Sequence, residues 1–315
     1  MFLKFCYTLL VLFMLCSPCY ALKGSTHEKI NYENTKRVNF FDLHNYLAKN
    51  LGLTGGVGEE FKSKRVDDWL GSGGRYEDEP IDAPLVGKPI ALYLHRFSNH
   101  FHQPNLTLSD AGYSGILYGA LLDGDSSILW AQQPVGTQEK GGNYSWRDAR
   151  KYYYDALTAE DPAVRDEMFA DTFRSVGQVM HLIEDMSVPA HTRNDGHTLR
   201  NYEDRVKELE KQPALFSSLI DPSSENLVEI QNLTLVEPEI TGMVPISRLF
   251  DRSLYTGCSP LETETSVVAL AEFTNANFVS ADTIEATPDL PSPDVNGPCV
   301  DRRVEMIEDV LNPGC

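Results

Sequence analysis

The sequence predicts an all-α, multi-helix domain with long loops. Apolar residues recur at helical spacing in several segments, and the apolar–polar alternation typical of strands is nearly absent. Apolar residues make up 42% of the 315 residues, which is enough for a sizeable core. Aromatic residues at 10% and charged residues at 23% exclude a disordered chain.

Four segments in the first half of the chain are predicted to be helical. They are 39–51, 64–70, 110–122 and 146–157. We expect the run Gly71-Ser72-Gly73-Gly74 to end the second helix, because glycine is a common stop signal. Ser145 is a candidate N-cap of the fourth helix. His44 lies on the apolar face of the first helix and is interpreted as a buried core residue.

The clearest helix is predicted from Asp161 to Ser187. Asp161 is a candidate N-cap and Pro162 fits the first helical position. Pro189 follows, and the residue before a proline disfavours helical angles. The apolar stripe of this helix consists of Val164, Met168, Phe169, Phe173, Val176, Met180 and Ile183.

The remainder of the chain is less regular. Helices are predicted at 202–211 and 263–278, and the region 222–245 is expected to be irregular with possible short strands. Residues 288–298 contain four prolines and one glycine, which indicates a loop or arm. We therefore predict one domain over 22–287 and a Pro-rich, Cys-bearing C-terminal arm over 288–315.

The first 21 residues have the parts of a secretory signal peptide. Lys4 precedes a short apolar run, and the segment ends in Cys19-Tyr20-Ala21, with cleavage expected after Ala21. This predicts a secreted or periplasmic protein of 294 residues. Three of the six cysteines remain in it, Cys258, Cys299 and Cys315, which suggests one disulfide of open pairing and one spare thiol.

The charge balance restricts the partners. With 46 acidic and 27 basic residues, the chain has a formal net charge of −19. A broad basic face that grips duplex DNA is therefore not expected. A local cationic site remains compatible with this composition, since metal ions can supply the positive charge.

The predicted long helix carries a cluster of metal-ligand residue types. His181 and Asp185 are four residues apart and therefore lie on one face of the helix. His191, His197 and Glu203 follow, so that all five fall within 23 residues. Imidazole and carboxylate ligands without a nearby cysteine favour Zn²⁺ in a catalytic setting.

The spacing His181-x₃-Asp185-x₃-Pro189-x-His191 resembles the signature of zinc-dependent phospholipase C. The same superfamily includes zinc-dependent single-strand-specific nucleases. The resemblance, which extends over roughly residues 22–210, implies an all-α fold with three zinc ions in a cleft that hydrolyses phosphate esters.

The resemblance also implies further ligands. The α-amino group and carbonyl of Leu22, as the new N-terminus, would bind zinc together with His27. The segment Asn99-His100-Phe101-His102-Gln103-Pro104 resembles the family's His-Phe-x-x-Pro segment and makes His100 a ligand. Asp78 is the candidate acidic ligand, with Glu77 as its rival. The closing His and Glu would be His197 and Glu203, although their spacing departs from the family pattern.

The residues implied by the resemblance form three ligand sets, each for one zinc ion. Asp78, His100 and His181 would hold one ion, with Asp185 able to bridge. His191, His197 and Glu203 would hold a second, and Leu22, His27 and Asp185 a third. Zinc-bound hydroxide would attack phosphorus, and Asp78 or Glu77 would serve as the base.

Three functional hypotheses follow. The first is a secreted phospholipase C-like hydrolase that cuts phospholipids or other phosphodiesters during transient contact with a membrane surface. The second is a nuclease or nucleotidase of the same superfamily that acts on single-stranded nucleic acid. The third is an exported zinc-binding protein without catalysis. The acidic net charge and the lack of a basic run favour the first.

Overall fold

The computed structural model describes residues 22–36, 42–79, 95–117, 120–138, 141–196, 206, 211–212, 246–251, 270–278 and 280. Within these residues helices dominate and strands are short, so the prediction of a mainly helical chain is confirmed. The predicted signal segment, the region 222–245, the helix at 202–211 except for residues 206 and 211, and the C-terminal arm lie outside the described residues.

The elements follow one another in a simple order. They are α1 (Gly24–Asn34), α2 (Leu43–Asn50), β1 (Glu60–Phe61), β2 (Lys64–Arg65), α3 (Val66–Asp78), β3 (Ser114–Leu117), β4 (Ala120–Asp123), α4 (Ser127–Ala131), α5 (Trp146–Thr158), α6 (Pro162–Asp185), α7 (Ser247–Phe250) and α8 (Leu270–Asn277). The strands form two antiparallel pairs, β1 with β2 and β3 with β4. Helix α3 packs against α1 and α6, and α5 packs against α6.

Local signals place the starts of α5 and α6 as predicted. Ser145 and Asp148 form a capping box at the start of α5. The Asp161 carboxylate accepts a hydrogen bond of 2.8 Å from the Ala163 N–H at the start of α6. Helix α6 ends at Asp185 rather than Ser187, and the Val188 N–H donates to the Asp185 carbonyl in the turn that follows.

The prediction that the glycine-rich run ends its helix is wrong, because α3 continues through it to Asp78. A Cβ on Gly73 would lie 2.4 Å from the Arg174 carbonyl oxygen, and one on Gly177 would lie 2.3 Å from the Leu70 carbonyl oxygen. The two glycines therefore allow the backbones of α3 and α6 to touch. Packing at this crossing outweighs the low helix propensity of glycine.

The helix predicted at 110–122 is also wrong, since β3 and β4 form a hairpin there with Ile116 opposite Leu121. Its base is tight, because a Cβ on Gly112 would lie 2.0 Å from the Gly124 carbonyl oxygen. A third prediction fails at α2, where His44 is exposed instead of buried in the core.

Two apolar clusters flank α6. The first contains Leu47, Phe61, Val66, Leu70, Ala156, Phe169, Ala170 and Phe173. The second contains Leu108, Ile128, Trp130, Ala131, Leu182, Met186, Phe250 and Ala271. Helix α6 contributes to both clusters, and its last two turns present polar side chains to α1 and α3. This arrangement positions the candidate site inside the helical assembly.

Candidate metal centre

Six of the predicted ligand side chains converge at the C-terminal end of α6. They come from α1, the end of α3, the segment before residue 102, α6 itself and the turn after it, and are His27, Asp78, His100, His181, Asp185 and His191. Each residue is at most 2% exposed. Burial of so many ionisable groups is expensive unless they are paired or bind a cation.

Asp185 lies at the centre of this group. Its Oδ1 is 3.4 Å from Nε2 of His27. Its Oδ2 is 3.1 Å from Nδ1 of His100 and 3.3 Å from Nε2 of His181. The two oxygens therefore face different histidines, as in a carboxylate that bridges two cations.

Two overlapping sets of ligand atoms can hold a metal ion. One is His27, His181 and Asp185, and the other is Asp78, His100 and His181. Several of their atoms have no hydrogen-bond partner among the described residues. These are His27 Nε2, His181 Nε2, both ring nitrogens of His100, and both carboxylate oxygens of Asp78 and Asp185.

An unsatisfied buried polar atom costs about 1–3 kcal/mol, so this concentration of lone pairs fits bound cations better than an empty polar core.

One ring nitrogen of each of three histidines is fixed. Nδ1 of His181 donates to the Gly74 carbonyl at 2.6 Å, and Nδ1 of His27 lies 2.5 Å from Oε2 of Glu184. These bonds leave Nε2 of both rings as the potential ligand atom, which is the usual role of outer partners at metal sites. Nδ1 of His191 donates to the His100 carbonyl at 2.9 Å and lies 3.6 Å from Asp185 Oδ2.

The carboxylates and the buried imidazoles perturb each other strongly. Burial lowers the pKa of His27, but bonds and charge from Asp185 and Glu184 raise it by more, to about 10. Burial lowers the pKa of His100 as well, and Asp185 and Glu77 raise it to about 9. Burial and the neighbouring His27 lower the pKa of His181 to about 4.

The two central carboxylates shift in opposite directions. Burial raises the pKa of Asp78 well above its usual value. Burial also acts on Asp185, but the imidazoles of His181 and His191 and the bond to His100 hold its pKa well below the usual range. Asp185 is therefore the permanent anion of the centre.

Glu77 and Asp78, the two predicted candidates for acidic ligand and base, lie in different surroundings. Asp78 Oδ1 is 3.6 Å from His181 Nε2, within one ligand set. Glu77 instead binds Arg96 at 2.5 Å and accepts a hydrogen bond of 2.8 Å from the Trp130 indole.

Of the remaining predicted ligands, only Leu22 lies within the described residues. Leu22 is buried against Val188 and Ala190, which places the start of the described chain beside the turn that carries His191. His197 and Glu203 lie outside the described residues, so their roles stay predictions.

Sequence reasoning did not assign several residues around the centre. Glu184 adjoins a predicted ligand, but no spacing rule connects it to His27, 157 residues away. His102, two residues after the predicted ligand His100, is buried between Ser126, at 2.9 Å from Nδ1, and Asp251, at 2.8 Å from Nε2. Its partner Asp251 carries no local signal.

Comparisons of the chain with protein-family models, curated proteins and solved structures find no match. Among the described helices, none combines the length and apolar composition needed to cross a bilayer. Function is therefore inferred from the sequence motif, the mainly helical fold and the buried ligand groups.

Proposed function

We propose that this protein is a zinc-dependent hydrolase of phosphate esters, of the phospholipase C-like type. The observation that carries the proposal is the pair of overlapping ligand sets that share His181, with Asp185 a member of one set and 3.1 Å from His100 of the other. A carboxylate that contacts ligands of both sets suits a pair of metal ions, which is a recurrent arrangement in phosphoester hydrolases. Nitrogen and oxygen ligands favour zinc.

Three zinc ions are proposed, as the family resemblance implies. His27 and Asp185 would hold one, together with the amino group of Leu22 after cleavage. Asp78, His100 and His181 would hold the next, with Asp185 as the bridge. The last would use His191, His197 and Glu203.

Bound zinc supplies Lewis-acid chemistry, which acidifies water and neutralises phosphate oxygens. The chain's own contribution is to hold the ligands rigid before substrate arrives, because the rings of His27, His181 and His191 are each fixed at Nδ1. Asp78 is proposed to accept the proton of the attacking water, since its Oδ1 faces the centre and neither of its oxygens has a hydrogen bond among the described residues.

The β3–β4 hairpin supports a lipid substrate. Ile116 and Leu121 face each other across it and are 70% and 82% exposed. The Asn194 side chain, three residues after His191, bonds both backbone groups of Ser114 at 3.0 Å and ties the hairpin to the centre. An apolar pair at this position is suited to contact with a phospholipid surface.

The test combines zinc analysis with three assays. Protein purified after cleavage behind Ala21 is loaded with zinc and assayed on phosphatidylcholine micelles, single-stranded DNA and a chromogenic phosphodiester. We expect hydrolysis of the micelles and of the chromogenic ester, and loss of bound zinc and activity in Asp185→Asn. Glu167→Gln, an exposed change on the same helix, is the matched control and should behave like the wild type.

The other hypotheses are outcomes of this experiment. Cleavage of single-stranded DNA without lipid hydrolysis would identify the nuclease. Bound zinc without hydrolysis of any substrate would identify a non-catalytic zinc protein. Protein that retains no zinc after mild purification would reject all three.

A further inference from the structure

We infer that Glu77 is a positioning residue that directs His100 to bind metal through Nδ1, while Arg96 and Trp130 hold Glu77 in place. The inference rests on the proposed metal centre. It assigns His100 the opposite ring nitrogen from His27 and His181. It also replaces the predicted role of Glu77 as rival ligand or base.

The orientation of the His100 ring is the first step. Its Nδ1 faces the ligand carboxylates, at 3.1 Å from Asp185 Oδ2 and 3.8 Å from Asp78 Oδ1. Its Nε2 points away from them and lies 3.6 Å from Oε1 of Glu77. One edge of the ring is therefore turned to the metal ligands and the other to a single carboxylate.

The fixed position of Glu77 is the second step. Its Oε2 binds Nη2 of Arg96 at 2.5 Å, and its Oε1 accepts the Trp130 indole N–H at 2.8 Å. Arg96 also donates to Gln178 Oε1 at 3.0 Å, and its guanidinium lies 5.1 Å from the Trp130 ring centroid. Glu77, Arg96 and Trp130 are each at most 2% exposed.

These contacts argue against Glu77 as a metal ligand or base. Both of its oxygens already accept hydrogen bonds, from Arg96 and Trp130. If Glu77 gave up these bonds to bind metal or accept a proton, the buried Arg96 charge would lose its carboxylate. The remaining acceptor capacity of Oε1 faces His100 Nε2. A carboxylate that accepts from the outer nitrogen of a ligand histidine fixes its tautomer and increases its basicity toward the metal.

Imidazole ¹⁵N chemical shifts of the zinc-loaded wild-type protein provide a direct test. We expect His100 to show a coordinated Nδ1 and a protonated Nε2, and His27 and His181 to show a coordinated Nε2. Coordination of His100 through Nε2, or no coordination of His100 in a zinc-loaded protein, would overturn the inference. A wild-type protein that binds no zinc would instead refute the proposed function.

Variants test whether Glu77 acts through His100. Zinc affinity, measured by competition with a chromogenic chelator, should fall about 10- to 100-fold in Glu77→Gln. The double variant Glu77→Gln/Arg96→Met removes the charge left on Arg96 and should show the same loss, with an altered visible spectrum of the Co²⁺-substituted protein.

The control variant is Gln178→Met, which removes one further Arg96 contact but leaves Glu77 in place, and it should keep wild-type affinity and spectrum. Full recovery of zinc affinity and of the cobalt spectrum in the double variant would mean that Glu77 serves only to neutralise Arg96, and would overturn the inference. Thermal unfolding of each variant establishes that it is folded. If a variant does not fold, the ¹⁵N measurement on the wild-type protein still decides the question.

Discussion

At the scale of single residues, protonation determines how the centre takes up metal. The pKa values of about 10 for His27 and about 9 for His100 mean that both rings are in the protonated imidazolium form at pH 7 without metal. His181, with a pKa of about 4, is neutral at that pH. Metal must therefore displace protons from two rings but not from the third.

We expect zinc binding at pH 7 to release protons and zinc affinity to rise as the pH increases toward 9. The sign follows because both raised pKa values lie above 7, so lower pH strengthens proton competition. Calorimetry in buffers of different ionisation enthalpy measures the released protons.

Zinc binding to the Glu184→Gln variant should release fewer protons than zinc binding to the wild type, because the Glu184 charge helps to raise the pKa of His27. A binding enthalpy that is independent of the buffer would contradict this account.

The sequence predicts candidate ligands where local spacing fixes their relative positions. His181, Asp185 and His191 are fixed relative to one another by a helix and the turn behind Pro189, and the structure brings them together as expected. Outer partners such as Glu184 for His27 and Asp251 for His102 depend on contacts across 157 and 149 residues. No single-sequence pattern encodes such pairings.

At the scale of elements, the crossing of α3 and α6 depends on two glycines. We expect Gly177→Ala to lower the free energy of unfolding by about 1–3 kcal/mol, because its Cβ would meet the Leu70 carbonyl oxygen at 2.3 Å. Zinc affinity should also fall, since the two helices carry Asp78, His181 and Asp185. Denaturant unfolding and chelator competition measure the two effects.

Gly58→Ala is the matched control for this substitution. The nearest atom to its new Cβ would be Arg65 Nη2 at 3.7 Å, an ordinary contact. Stability should therefore change little or increase slightly. Equal destabilisation by both alanines would show that the helix crossing is not the cause.

The β3–β4 hairpin allows substrate class to be tested separately from chemistry. We expect Ile116→Ser/Leu121→Ser to reduce hydrolysis of phosphatidylcholine micelles and to leave hydrolysis of the soluble chromogenic ester unchanged, because only the micelle presents an apolar surface. Val164→Ser, another exposed apolar position at the far end of α6, is the control. Parallel loss of both activities would argue against a lipid-contact role.

Helices with explicit caps were predictable, whereas segments governed by packing were not. Ser145 and Asp161 mark the starts of α5 and α6 with side-chain hydrogen bonds that are local in sequence. The structural role of Gly73 depends on its close contact with Gly177, about 100 residues later in the sequence. The glycine-rich segment 110–122 likewise formed a hairpin because its tertiary surroundings overrode an apparent helical pattern.

At the scale of the whole molecule, the acidic chain encloses a candidate cation site. Its net charge of −19 argues against a broad duplex-binding face, as the sequence predicts. The four described imidazoles and two central carboxylates form a buried local environment. Bulk charge therefore bears on long-range steering of ligands, while the few buried groups are the candidates for the chemistry.

The distance along the chain between His27 and the end of α6 has a consequence for folding kinetics. The two proposed ligand sets join residues more than 100 and more than 150 positions apart, so neither set is complete until a long segment of the chain has closed. Zinc should then slow unfolding and leave the folding rate nearly unchanged. Stopped-flow unfolding and refolding in zinc and in chelator would measure both rates, and zinc-accelerated folding would place the ligands together in the transition state.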